Sequence, residues 1–177
     1  MTRAPRRGPF LVPVAALRRQ PGSSFEVHAS GPIFELAVSH SRVPDGGEVS
    51  LDALLESVLG GVMVTGTVGA DWEADCGRCL EPARGRLAVA VRELFTEGAE
   101  EEGSYRLSGE WLDLEPLAHD ACILELPLAP LCRPDCLGLC PGCGVNRNTE
   151  TCDCTEGSDP RWAGLSVLRD AAPNWRE

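Results

Sequence analysis

Cysteine is the residue type in this sequence whose spacing most clearly indicates chemistry. Two residues separate the thiols of Cys76 and Cys79 and those of Cys140 and Cys143. This spacing lets both sulfurs converge on one ion while nearby backbone amides donate to them, and four thiolates give a closed tetrahedral zinc site. Eight of the nine cysteines fall in close pairs, with one to three residues between the two members. The predicted metal ligands are Cys76, Cys79, Cys132, Cys136, Cys140, Cys143, Cys152 and Cys154.

The eight paired cysteines are enough for two structural Zn²⁺ ions. The preferred partition places the last two pairs, from Cys140 to Cys154, in one site and the first two pairs, from Cys76 to Cys136, in the other. The latter site would tie a β-hairpin to the loop after a helix. A single ion, with the remaining pairs free, is the alternative.

A catalytic role has less support in the sequence. Catalytic zinc keeps an open position, usually beside His or carboxylate ligands, but His28, His40 and His119 lie outside every cysteine pair. A thiol-redox role for Cys76/Cys79 requires a strand-to-helix turn, whereas this pair lies between two predicted strands. No phosphate-binding glycine loop is present. We therefore predict a protein that is not an enzyme, with no catalytic residues, and we expect Cys122 to be a buried small apolar residue.

The elements that position these cysteines are predicted to be mainly strands in the first two thirds of the chain. Alternating apolar residues indicate strands over 25–29, 33–39, 62–75, 84–95 and 105–114. Residues 48–59 fit either a helix or a strand, and the neighbouring hairpin favours a strand. The turn at 76–82 joins two strands into an antiparallel hairpin.

Two helices are predicted in the last third. Glu115 and Pro116 suit the first turn of a helix that extends to Leu126. Its predicted apolar face contains Leu117, Ala121, Ile123 and Leu124. A short terminal helix begins at Asp159 as N-cap and Pro160. The fold class is thus α+β: an antiparallel β-meander with one packed helix, a Cys-rich zinc-binding segment and a short C-terminal helix. The predicted divisions are an Arg-rich arm (1–19), an α+β body (20–130) and the Cys-rich segment with the terminal helix (131–177).

Composition and charge limit the class of protein. The 177 residues are 43% hydrophobic and 24% charged, which are ordinary globular values. The apolar runs are too short to span a membrane, which takes about 20 residues, and we expect no membrane partner. Residues 1–19 carry five arginines and no acid, so with a net charge of −11 the rest of the chain carries −16. Such a body repels a phosphate backbone. Paired, reduced cysteines predict the cytoplasm.

The ordered set of motifs resembles one known family. Cys76-Gly-Arg-Cys79-Leu-Glu-Pro82, an acidic loop, and the run from Cys132 through Cys136, Cys140 and Cys143 to Asn146 are similar to the YceD family, the bacterial large ribosomal RNA subunit accumulation proteins. The residues from Asp159 to Leu165 resemble that family's C-terminal helix. The likeness covers roughly residues 10–170.

The resemblance implies a role in 23S rRNA accumulation and large-subunit biogenesis. Some members lack part of the cysteine set, which implies that metal supports the fold. We expect a non-enzymatic factor that binds a basic ribosomal protein or an assembly intermediate through its acidic loop at 97–102, with rRNA contact through the N-terminal Arg arm. The alternatives are a zinc-ribbon nucleic-acid-binding regulator and, less favoured, a thiol-redox protein using Cys76/Cys79.

Overall fold

The computed structural model describes residues 8–98, 105–154 and 160–165. Its elements in chain order are β1 (Leu11–Pro13), α1 (Ala15–Arg18), β2 (Ser24–Pro32), β3 (Ser41–Arg42), β4 (Glu48–Val58), β5 (Gly61–Asp75), β6 (Pro82–Thr96), β7 (Tyr105–Arg106), β8 (Trp111–Asp113), α2 (Glu115–Glu125) and a 3₁₀ helix (Pro160–Leu165). The strands are mostly antiparallel, so the predicted α+β class is confirmed.

One sheet contains six of the eight strands. Its order is β2-β4-β5-β6-β7, and β3 pairs with β5 off this path. All pairs are antiparallel except β6 with β7. The meander through β4, β5 and β6 follows from the turn residues, because Gly60, at φ 91°, closes the β4–β5 turn in a conformation that glycine adopts without strain.

The sheet buries one face. In β4 the odd-numbered positions, including Val49, Leu51 and Leu55, are fully buried, while the even-numbered ones are exposed or half-buried. This period of two is the pattern of an antiparallel sheet with one side on the core. The strand prediction for 48–59 is therefore confirmed, as is the hairpin formed by β5 and β6.

A two-stranded sheet and two helices complete this core. β1 pairs with β8 in a separate two-stranded sheet, with Val12 opposite Leu112. Val14 and Leu17 at α1 are buried in the same cluster. α2 contributes Leu117, Ala118, Ala121 and Cys122. The helix predicted to start at Glu115 is confirmed, and the Glu115 amide donates to the Asp113 carboxylate at 3.1 Å.

Three details of the sequence prediction are wrong. Residues 33–39 form no strand, because Glu35 adopts a positive φ of 64° and only Ala37 forms a bridge, to Arg42. Residues 105–114 are two strands rather than one, since Gly109, at φ 63°, turns the chain between them.

The third wrong detail is the predicted apolar face of α2. Leu124 is 84% exposed. Viewed down the helix axis, the four buried side chains of α2 are centred on a direction between those of Ala118 and Ala121. At 100° per residue, Leu124 lies about 90° from the centre of that stripe.

The chain divides into two compact units, Met1–Pro134 and Asp135–Glu177. The first holds all the strands named above and α2. Within the second, Leu139 bridges Asn146, and Pro160–Leu165 forms the 3₁₀ helix. The predicted N-cap, Asp159, lies outside the described residues.

Candidate metal centres

The hairpin turn between β5 and β6 folds around the sulfur of Cys76. The Cys76 amide donates to the Glu81 carbonyl at 2.8 Å, and the Leu80 amide donates to the Cys76 carbonyl at 3.0 Å. The Arg78 amide points at the Cys76 Sγ, 3.5 Å away. To close this turn, Leu80 adopts φ 63°. The result is a compact loop that presents two sulfurs, those of Cys76 and Cys79, on one side.

A hydrogen bond holds the segment before Cys132 against this turn. The Gly77 amide donates to the Pro130 carbonyl at 2.8 Å, and the Sγ atoms of Cys79 and Cys132 are 3.5 Å apart. These contacts bring together four sulfurs that all lie within 4.8 Å of one another. We call them the first sulfur group. Its members are Cys76, Cys79, Cys132 and Cys136.

A second turn repeats the same hydrogen bonds. The Cys140 amide donates to the Val145 carbonyl at 2.8 Å, and the Gly144 amide donates to the Cys140 carbonyl at 2.8 Å. The sulfurs beside it again lie within 4.8 Å of one another and form the second sulfur group. Its members are Cys140, Cys143, Cys152 and Cys154.

Both groups fit a tetrahedral ion. Four sulfurs at about 2.3 Å from a central metal would lie about 3.8 Å from each other, which is below the 4.8 Å that bounds the sulfur separations in both sets. All eight thiols are free of disulfides. The two sets are those of the preferred partition of the sequence. They could hold metal ions, and the ligand role of each cysteine stays a prediction.

The first cysteine of each turn has a lowered pKa. Burial raises the pKa of Cys76, but the amides of Cys132, Arg78 and Cys79 outweigh it and lower the pKa to about 6. The amides of Cys143 and Gly142 lower the pKa of Cys140 to about 6. Backbone donors thus stabilise the thiolate, which is the form that binds a metal.

The last two cysteines hold their protons more tightly. A hydrogen bond to the Cys140 sulfur raises the pKa of Cys152, and one to the Cys143 sulfur raises the pKa of Cys154 to about 12. These are protons shared between adjacent sulfurs. A cation in the centre of the group would replace them, because metal binding to thiols releases protons.

The two groups differ in exposure. Cys76, Cys79 and Cys136 are buried in the first group, whereas Cys143 and Cys154 of the second are exposed. A cleft of about 230 Å³ reaches the second group and is also lined by Arg147 and Glu150. Solvent and small molecules therefore have a direct route to the second group.

Sequence reasoning missed an asparagine that supports the first group. The Asn148 Nδ2 donates to the Cys136 Sγ at 3.3 Å and to the Asn146 Oδ1 at 2.8 Å. The Asn148 Oδ1 accepts from the Leu137 amide at 2.8 Å. Asparagine side chains commonly bond to nearby backbone groups in turns, so Asn146 and Asn148 on either side of Arg147 could have indicated an ordered turn at this point of the sequence.

The other residues singled out from the sequence lie outside both sulfur groups. His28 is exposed, and its Nδ1 lies 2.6 Å from the Asp52 Oδ1, which raises the pKa of His28. His40 is exposed, and His119 is half-buried. Cys122 is buried in the core, as predicted, and burial raises the pKa of its thiol to about 11.

Tryptophan packing follows the sheet. Trp72 lies opposite Gly85 in the β5–β6 register, and its indole occupies the space that a side chain at Gly85 would take. Trp72 packs partly buried against the core.

The cysteine pair Cys76/Cys79 lies between two strands, β5 and β6, as predicted from the sequence.

The fold and the two sulfur groups define a class: an α+β protein with a cysteine-rich segment able to bind metal. Residues 64–169 match the family described as "Large ribosomal RNA subunit accumulation protein YceD". The chain belongs to the YceD family, which confirms the resemblance found in the sequence.

Curated relatives extend this similarity over most of the chain. Uncharacterized proteins of Mycobacterium bovis and Mycobacterium tuberculosis are each 44% identical over 166 residues, covering 89% of this chain and 80% of the relative. One of Mycobacterium leprae is 32% identical over 168 residues, covering 90% and 77%. No solved structure matches the chain. Among the described residues, no helix has the length and apolar character needed to cross a bilayer.

Proposed function

We propose that this chain supports the accumulation of 23S rRNA and the assembly of the large ribosomal subunit by binding a ribosomal protein or an assembly intermediate, without catalysing a reaction. The observation that carries the proposal is the family match over residues 64–169, since the family description names large-subunit rRNA accumulation and no reaction. The protein would act in the cytoplasm, where ribosomes assemble.

Structural zinc is part of the proposal. Within the described part of the chain, each sulfur group offers four thiolates and no His or carboxylate, which is the donor set of a closed zinc site. The four ligands leave no position for a substrate. The chemistry that zinc would supply is cross-linking of turns that are too short to hold one another by apolar contacts.

Net charge supports a basic protein as partner. Ribosomal proteins are mostly basic, and this chain has a net charge of −11. Electrostatic complementarity of this kind accelerates association and selects partners. The acidic loop proposed as the contact surface, 97–102, lies outside the described residues except for Glu97 and Gly98. Glu97 itself pairs with Arg18.

Contact between the N-terminal arginines and rRNA is a secondary part of the proposal. Arg3, Arg6 and Arg7 lie outside the described residues. Arg18 already binds the Gly109 carbonyl and the Glu97 carboxylate, so the contact would fall to the others. A steep fall of affinity with salt would accompany any direct phosphate contact.

The test is the ratio of mature and precursor 23S rRNA to 16S rRNA in a host depleted of this protein. We expect 23S to fall selectively while 16S stays constant, with recovery when the wild-type chain is expressed again. An unchanged ratio would overturn the proposed process. Metal analysis of protein purified without added zinc tests the second part: we expect two equivalents, and less than one would exclude structural zinc.

A further inference from the structure

Among the described residues, the side chains of the large sheet that point away from the core are mostly exposed. On β4 this side presents alternating residues from Glu48 to Val58, and on β2 it presents those from Ser24 to Pro32. Exposed antiparallel sheet faces are commonly polar. On this sheet the charge of the outward residues differs between the two halves, and this difference indicates a binding partner.

The half formed by β2 and β4 is acidic and carries an apolar centre. In the register Glu26 lies opposite Leu54, Ser24 opposite Glu56 and His28 opposite Asp52. Leu54 is therefore surrounded by carboxylates from both strands while remaining 36% exposed. We call this surface the outer acidic face. It is made of Glu26, Glu48, Asp52, Leu54, Glu56 and Val58.

Positive charge is scarce on this half. Asp52 has His28 as a partner, but Glu26, Glu48 and Glu56 have no ion pair within the part of the chain that the structure describes. The nearest arginine along the row of Leu54 is Arg92, two strands away and thus about 10 Å distant.

The other half of the same face is neutralised. On β5 and β6 the Arg86 Nη1 lies 3.3 Å from the Asp71 Oδ1, and Arg42 on β3 binds Glu73 at 2.8 Å. Asp71 and Glu73 on this half thus have arginine partners. Of the acidic residues on the outer side of β2 and β4, only Asp52 has an ion-pair partner among the described residues, and that partner is His28. The uncompensated negative charge is a local property of β2 and β4.

A second exposed apolar patch lies at the β4–β5 turn, separated from Leu54 by Glu56 on the same face. Val58 is 38% exposed, and Leu59 at the tip is fully exposed. Water-exposed leucines with a charged rim have the composition of a binding surface, in which apolar anchors supply most of the free energy and charges supply orientation.

We propose that the outer acidic face is the docking surface for a basic, amphipathic segment of a large-subunit ribosomal protein; this rests on the proposed function above. Arg and Lys side chains of the segment would pair with Glu26, Glu48 and Glu56, and its apolar residues would cover Leu54 and Val58. A second copy of this chain would place its own acidic face against this one, and a nucleic acid would place phosphates against it. Repulsion between like charges disfavours both of these partners.

The test compares two pairs of isosteric substitutions with the same change in charge. Glu26→Gln with Glu56→Gln alters the face, and Glu115→Gln with Glu125→Gln is the matched control on exposed sites of α2, which packs against the core and not on this face. Leu54→Ser tests the apolar centre. The probe is the RNA-free total protein extracted from purified large subunits, titrated with the fluorescently labelled full chain.

We expect the face pair to weaken binding about tenfold and to flatten its dependence on salt, and Leu54→Ser to weaken it at least fivefold. The control pair should stay within about twofold of the wild type. Equal effects of the two pairs would overturn the proposal. The proposal would also be overturned if the wild type formed a dimer and the face pair made that dimer more stable. It would be overturned as well if protein-free 23S rRNA bound the wild type as tightly as the ribosomal proteins do and the face pair abolished this binding.

Expression of the same variants in the depleted host separates this inference from the proposed function. Recovery of 23S by the control pair but not by the face pair supports both. Full recovery by the face pair leaves the proposed function standing and overturns the docking surface. No fall of 23S on depletion overturns the proposed function, whatever the binding assay gives.

Discussion

Leu80 and Gly144 occupy the same position in two equivalent cysteine turns. Each amide donates to the carbonyl of the first cysteine of its turn, Leu80 to Cys76 at 3.0 Å and Gly144 to Cys140 at 2.8 Å. Both residues have positive φ, 63° and 76°. Glycine adopts this conformation freely, whereas a leucine is strained in it by about 1–2 kcal/mol. The hairpin between β5 and β6 therefore holds Leu80 in a conformation that its side chain disfavours.

This equivalence predicts unequal effects of exchanging the two residues. Gly144→Ala should lower the free energy of unfolding by about 1–2 kcal/mol, and the cause is conformational because no atom lies within 4 Å of the added carbon. Leu80→Gly should change it by less than about 1 kcal/mol, since relief of strain is offset by added freedom of the unfolded chain. Urea unfolding of the zinc-loaded protein measures both. A larger loss from Leu80→Gly than from Gly144→Ala would contradict the equivalence.

The difference in exposure between the sulfur groups predicts the order of metal release. The exposed sulfurs of Cys143 and Cys154 and the cleft beside them give a chelator access to the second group. Zinc release to a chromophoric chelator should therefore have two phases of one equivalent each. Cys154→Ser should abolish the fast phase and Cys79→Ser the slow one. The reverse assignment, or a single phase of two equivalents, would show that exposure does not control release.

Local signals in the sequence predicted the turns and most strands, and long-range contacts account for what was missed. Residues 76–82 and Gly60 fix their hairpins through neighbouring residues alone. The pairing of Leu11 with Asp113 joins distant parts of the chain, and the three residues of β1 are too few to show an alternating pattern of their own. Glu35 has a backbone conformation that a strand does not allow, because Ile33 and Leu36 on either side of it are both buried in the core and would point to opposite faces of a regular strand. The sulfur groups were predictable because ligand spacing is local, whereas the support from Asn148 depends on the fold.

Asn148 should control the affinity of the first sulfur group. Its Nδ2–H group donates to the Cys136 Sγ, and partners of this kind typically change metal affinity by about 10–100-fold. Asn148→Asp keeps an acceptor for the Leu137 amide but removes the donor to sulfur, and Asn148→Ala removes both. We expect both variants to bind zinc at the first group at least tenfold more weakly in chelator competition. The second group, assayed in a Cys79→Ser background, should be unchanged.

If Asn148→Ala weakened zinc binding at the first group and Asn148→Asp did not, the effect would come from the Leu137 contact and not from the hydrogen bond to sulfur. Weakening of both groups to the same extent would indicate that the substitution unfolds the segment. Circular dichroism of each zinc-loaded variant separates loss of fold from loss of affinity.

Cys122 predicts how stability depends on alkaline pH. Burial raises the pKa of its thiol from 9.0 to about 11, so the folded state disfavours the thiolate. Below pH 9 the thiol is protonated in both states and costs nothing. Between pH 9 and pH 11 the unfolded chain loses the proton first, so stability falls as the pH rises. At pH 10 the loss from this group is on the order of 1 kcal/mol.

Cys122→Ala removes the titrating group while keeping an apolar side chain in the core. The difference in unfolding free energy between pH 8 and pH 10 should therefore be smaller in Cys122→Ala than in the wild type, by an amount on the order of 1 kcal/mol. Alkylation gives a second measurement on the same thiol. After metal removal the eight paired cysteines should react with iodoacetamide, and Cys122 only on unfolding. Equal pH dependence of the two proteins, together with rapid alkylation of Cys122 in the folded chain, would mean that water reaches this part of the core between α2 and the sheet.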